Sequence, residues 1–126
     1  MLTEPQKRWV AALRGGEFKQ CRGQLSKNGG YCCLGVVCEI FREELSLEKH
    51  ELTFGDGYSY NESYQYLPCK VKEYLALNTT EGYFRKKDGK GEYLSNLNDD
   101  GASFEEIADI IEENADQIFT KETKSE

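Results

Sequence analysis

The stretch "QLSKNGGYCCLGVVCEIF", residues 24–41, does most to limit what this chain can fold into. It holds the longest apolar run in the sequence, residues 31–38, which is far too short to cross a bilayer and so belongs to a core. Leu34, Val37, Cys38, Phe41 and Leu45 fall at i, i+3, i+4, i+7 and i+11, the spacing of one buried helical face. A helix is therefore expected over 33–45, entered from a turn at Asn28-Gly29-Gly30.

Other elements arrange themselves around that helix. Thr3 caps a first helix with Gln6 in the capping-box position and Pro5 in the first turn. Trp9, Val10 and Leu13 form its stripe, and Gly15-Gly16 ends it. Residues 17–26 read as extended. Tyr58, Tyr60, Tyr64 and Tyr66 occupy even positions, and a three-residue loop over 61–63 would place all four rings on one sheet face. A two-residue loop would split them. A short helix follows Pro68, with Val71, Tyr74 and Leu75 inward. In "YFRKKDGKGEYL", Asp88-Gly89 suits a type I′ turn that pairs Phe84 with Tyr93 and Arg85 with Glu92. Ser103 and Glu106 make a capping box for a long helix reaching about Phe119. The reading is a single α+β domain over 1–119, about four helices on a short, mainly antiparallel sheet, with 120–126 as a frayed or disordered tail.

Compartment and charge narrow the function. Five cysteines, an odd number, together with an N-terminus lacking a signal-like apolar core, predict reduced thiols in a cytoplasm. The net charge of −7 is uneven: residues 1–30 carry six Lys/Arg against two Glu, whereas 98–126 carry ten Asp/Glu against two Lys. An acidic protein is a poor partner for duplex DNA, because phosphate neutralisation dominates that affinity. No membrane partner is expected either.

The cysteine pair suggests one chemistry. A thiol at a helix N-terminus meets the positive end of the dipole, which favours thiolate. Cys32 and Cys33 thus have the local layout of papain-like enzymes, and a hydrolase or transferase would need His50, the single histidine, as base. The opposing reading is core packing, since cysteine behaves as a small hydrophobe and Cys38 already fits the buried stripe. No Cys-x-x-Cys pair, phosphate loop or dinucleotide fingerprint is present, so neither a metal nor a cofactor is expected. Binding candidates are better populated. Lys19, Gln20, Arg22 and Gln24 offer donors to a phosphate or a base edge. Tyr60, Tyr64 and Tyr66 offer stacking faces, and Asn98 and Asp99 offer polar contacts ahead of the last helix.

The blocks "KRWVAALRGGEFKQCRGQL", "YCCLGVVCEI", "YLPCKVKEYL" and "LSNLNDDGASFEEIADIIEE" resemble, in order, those of a small protein family of phage and prophage genomes. Here Tyr31 replaces the Phe common in that family, and Cys21 stands where Gly is usual. The resemblance implies a phage accessory protein acting in a bacterial cytoplasm. By analogy with other accessory proteins of this size, it implies a counter-defence factor. Such a factor would sequester a small anionic, nucleotide-like signal or inhibit a host protein.

Overall fold

The structure is a computed structural model that describes residues 2–53 and 55–120, so 121–126 of the expected tail lie outside the described residues. The fold is α+β; the described residues form six helices and three separate two-stranded antiparallel ribbons in one small domain. The strands do not merge into the single sheet expected.

Helix α1 (Glu4–Arg14) forms as its capping box requires, with Thr3 Oγ1 accepting the Gln6 N–H at 3.3 Å and Gln6 Oε1 accepting the Thr3 N–H at 2.9 Å. Its buried face is tied to its neighbours by hydrogen bonds as well as packing. Trp9 Nε1 donates to the Cys33 carbonyl at 2.9 Å and Gln6 Nε2 to the Leu75 carbonyl at 2.7 Å. The tight hairpin of β1 (Ser26–Lys27) and β2 (Gly30–Tyr31) turns at Asn28 and Gly29, both at positive φ, and delivers the chain to α2 (Cys33–Ile40). Residues 17–25 are less regular than expected, touching β2 through a single parallel bridge of Gln20 to Tyr31.

Helix α2 is buried on every side from Cys33 to Cys38, rather than on one face. It also stops five residues early. Phe41 caps it at φ −109; Arg42 N–H then donates to the Glu39 carbonyl, and the chain runs on as turns to Ser46 at φ +52, where Leu47 N–H closes on the Arg42 carbonyl. Phe41 is still fully buried.

The tyrosine stripe does not exist. β4 (Tyr58–Tyr60) pairs with β3 (Lys49–Glu51), and a two-residue turn at Asn61-Glu62, both at positive φ, precedes the Tyr60–Ser63 bridge. Tyr58 lies under the Lys49 ammonium at 4.5 Å, Tyr60 is fully buried, and Tyr66 points to solvent. Helix α3 (Cys69–Leu75) buries Val71 and Leu75, but Tyr74 is exposed and packs edge-on against Phe41.

The hairpin of β5 (Tyr83–Arg85) and β6 (Gly91–Tyr93) is shifted by one residue from the expected register. Tyr83 faces Tyr93, Phe84 faces Glu92 and Arg85 faces Gly91. Only Gly89 takes positive φ, so the turn closes over three residues from Lys86 to Lys90, with Asp88 Oδ1 accepting the Lys90 N–H. A bulge glycine therefore replaces the I′ pair, and the Tyr83–Tyr93 rings meet at 5.2 Å.

A helix unforeseen in the sequence, α4 (Leu94–Asp99), follows directly. The expected long C-terminal helix is broken into α5 (Phe104–Glu113) and α6 (Ala115–Ile118) at Asn114. There Nδ2 bonds back to the Ile110 carbonyl while Phe119 bridges to Leu77.

Candidate functional site: a polar cleft at the start of α2

The N-terminus of α2 is positioned by one buried amide. Asn98, on α4 and with no exposure, accepts the Cys33 N–H at 3.1 Å and the Gln20 Nε2 at 2.8 Å through Oδ1. Its Nδ2 donates to the Cys21 carbonyl at 2.8 Å. A side chain with both a donor and an acceptor is needed at that point, which explains an asparagine inside the core. Gln20 also donates to the Ala102 carbonyl at 2.8 Å. Gln20 and Asn98, expected to contact a ligand, are therefore internal fasteners.

Beside this lock lies a cleft of about 140 Å³. Cys32 is the one buried residue among those lining it. Gly23, Gln24 and Asp99 border it from the side of the basic segment and α4, joined there by Ser95 and Asn96. Gln65, Tyr66 and Glu81 complete the wall. Asp99 Oδ1 accepts the Gly23 N–H at 2.8 Å, and Glu81 Oε1 accepts the Ser95 hydroxyl at 3.0 Å, so both carboxylates are held by neighbours. Gln24 Nε2 donates to the Ser26 carbonyl at 2.8 Å and the Asp56 carbonyl at 3.2 Å.

Three of the expected ligand contacts, Gln24, Tyr66 and Asp99, thus meet in one place. The others do not. Lys19 and Arg22 are exposed on the neighbouring segment; the Lys19 carbonyl accepts the Tyr31 N–H at 2.7 Å, but neither side chain has a hydrogen-bond or ion-pair partner among the described residues. The Arg22 guanidinium lies over Gly101, just past α4. Tyr64 is half-buried and its carbonyl accepts the Leu25 N–H at 2.7 Å. Tyr60 is no stacking surface: its hydroxyl donates to Glu39 at 2.7 Å, and burial together with that bond pushes its pKa far up. Gln65, Glu81, Ser95 and Asn96 were not foreseen. The signal for the last two was the spacing of Leu94, Leu97 and Asn98, a short helical face masked by the polar residues between them.

The thiols are arranged for packing. Cys32 caps α2, its sulfur accepting the Gly35 N–H at 3.4 Å, but burial outweighs that bond and pushes its pKa up to about 12. That direction disfavours the thiolate. Burial also raises Cys33 and Cys38 well above the ordinary thiol value and Cys21 to about 11. His50 stands on β3 with an exposed side chain, 3.9 Å from Glu48, and makes no bond to either cysteine. A Cys–His pair is therefore not assembled. Among the described residues, no cluster of three or more His, Cys, Asp or Glu could hold a metal ion, and no helix is long and apolar enough to cross a membrane.

Fold and cleft together define a small α+β domain with a polar recess beside a buried cysteine. The chain belongs to the family described as a domain of unknown function, DUF8296, which matches residues 1–115. No curated protein and no solved structure matches it.

Proposed function

We propose that this protein is a non-catalytic, phage-encoded accessory factor that sequesters a small nucleotide-like molecule in the bacterial cytoplasm. The base enters the cleft and the phosphate stays outside it, toward Arg22 and Lys19. The observation that carries this reading is the convergence of Gln24, Asp99 and the half-exposed Tyr66 on one recess with Arg22 nearby. The recess suits a flat, hydrogen-bonding head group, and its carboxylates would repel a phosphate. The adjoining guanidinium, without an acidic partner, would attract one. The protonated state of Cys32 favours binding over covalent catalysis.

Stacking on Tyr66 and one charge-assisted phosphate bond contribute about 1–3 kcal/mol each, enough for micromolar binding when the cleft's hydrogen bonds are added. A thermal-shift and calorimetry screen of nucleosides and cyclic and linear nucleotides tests it. A binder at a hundred times its Kd should stabilise the fold by about 2.7 kcal/mol. Arg22→Ala should weaken nucleotides and leave the matching nucleosides unchanged. An absence of stabilisation by any nucleotide at millimolar concentration would overturn the proposal.

A further inference from the structure

The cleft has a hydrogen-bonding polarity, and it can be worked out atom by atom. Asp99 receives both the Gly23 N–H and the Asn98 Nδ2 on the same oxygen, Oδ1, which leaves Oδ2 without a partner. Glu81 receives the Ser95 hydroxyl on Oε1, which leaves Oε2. The Ser95 hydroxyl proton is committed to that bond. Gln24 faces two carbonyls, those of Ser26 and Asp56, so its amide nitrogen must face them and its free polar atom is the oxygen Oε1. Three of the lining residues therefore keep an unpartnered acceptor, two of them carboxylate oxygens; Gln65 and Asn96 add amides that can turn either a donor or an acceptor to a ligand, and no Lys, Arg or His lines the recess to offset the carboxylates.

Resting on the nucleotide-like reading above, we infer that the cleft selects a base by its donor edge. The class it fits is the guanine type, in which a ring N–H and an adjacent amino group lie side by side. Such an edge carries three N–H hydrogens, one on the ring and two on the amino group, to match the three acceptors left over on Asp99, Glu81 and Gln24. A uracil-type base offers one ring N–H flanked by two carbonyls, which would face the carboxylates with like polarity. A buried or rimmed acceptor left without its donor is the larger cost, so discrimination comes from the mismatched ligand. Tyr66, half exposed at the mouth, supplies a stacking face that is indifferent to base identity.

The test uses the full chain and three probes: guanosine, inosine, which lacks only the amino group, and uridine. Titration calorimetry should rank guanosine first, inosine weaker by about ten-fold or more, and uridine weakest. This ranking is read on the unmodified protein, so it needs no variant to fold. Glu81→Gln and Asp99→Asn then locate the effect. Each retains the oxygen that Ser95 or Gly23 uses and turns a donor toward the ligand, so guanosine binding should fall and the guanosine–inosine gap should close. Equal binding of all three probes would overturn the donor-edge selection while leaving the sequestration reading standing. So would a guanosine preference that neither variant alters. Failure of every nucleoside and nucleotide would overturn both.

Discussion

Gly35→Ala tests the packing that sets the cleft in place. In an ordinary helix interior, glycine to alanine stabilises by about 0.5–1 kcal/mol. At Gly35 the new Cβ would overlap the Leu25 carbonyl oxygen and lie 2.8 Å from its carbon. These are backbone atoms and cannot rotate away. Leu25 is itself fully buried; its carbonyl accepts the Cys32 N–H at 3.2 Å and its N–H donates to the Tyr64 carbonyl at 2.7 Å. Relief requires moving that segment, at a cost of about 1 kcal/mol for each bond strained and about 1–3 kcal/mol for overpacking. After subtracting the helix gain, the variant should lose about 2–4 kcal/mol, or roughly 10 °C in Tm for a domain of this size. Urea unfolding followed by the fluorescence of Trp9, the single and buried tryptophan, should show a lower midpoint at unchanged slope. Gly89→Ala is the comparison. Its φ of +89 makes any side chain strained, but nothing lies within 4 Å of the added atom, so only about 1–2 kcal/mol of backbone strain applies. Gly35→Ala as stable as the parent, or less costly than Gly89→Ala, would refute the close approach of α2 to Leu25.

Two further outcomes follow from the polar and sulfur chemistry. Burial alone would raise the Glu39 carboxyl, but hydrogen bonds from Tyr60 and Lys49 prevail and hold it below its usual value of 4.5. Its contribution to stability is therefore present above the unfolded-state value and is lost as pH falls through the lower folded-state value. Urea midpoints measured from pH 6 to pH 2 should decline less for Glu39→Gln than for the parent, and parallel declines would show that this carboxylate is not the acid-sensitive group. Iodoacetamide at pH 7.5 should label exposed Cys69 first and leave Cys32, Cys33 and Cys38 intact until urea is added. Native labelling of Cys32 as fast as Cys69, read by peptide mass spectrometry, would restore the nucleophile reading.

What the sequence made legible was local and covalent in range. Both capping boxes, at Thr3 and Ser103, sit where the spacing put them, because a cap is decided by residues three apart. The α+β class followed from the same local signals. Errors arose wherever a choice depended on partners far along the chain. The Asp88-Gly89 turn was compatible with two loops differing by one residue, and the tertiary setting chose the one that pairs Tyr83 with Tyr93. The tyrosine alternation was genuine, but β4 found its partner in β3, which begins nine residues upstream, so the rings went to Glu39, to Lys49 and to solvent. The cleft was legible only in part. Gln24, Tyr66 and Asp99, singled out in the sequence, do meet there, whereas Gln65 and Glu81 sit in the loops before α3 and β5, which are joined by the Leu67 N–H to Thr80 carbonyl bond across a separation no local pattern reveals.

Helix α4 explains why the recess and the fold cannot be separated. Five of its six residues divide by helical spacing into two groups. Leu94 and Asn98 are fully buried, the first in the core and the second bonded to Cys33, Gln20 and Cys21. Ser95, Asn96 and Asp99 border the cleft. The amide that fixes the start of α2 therefore lies one residue from the carboxylate that gives the cleft its polarity, and that carboxylate is itself anchored by the Gly23 N–H. The proposed ligand would meet Asp99 and Gln24 already oriented by bonds to backbone groups, so little ordering of these two would remain to be done on binding. The donor-edge selectivity proposed for this recess would then come from which oxygens were left over when the fold was complete.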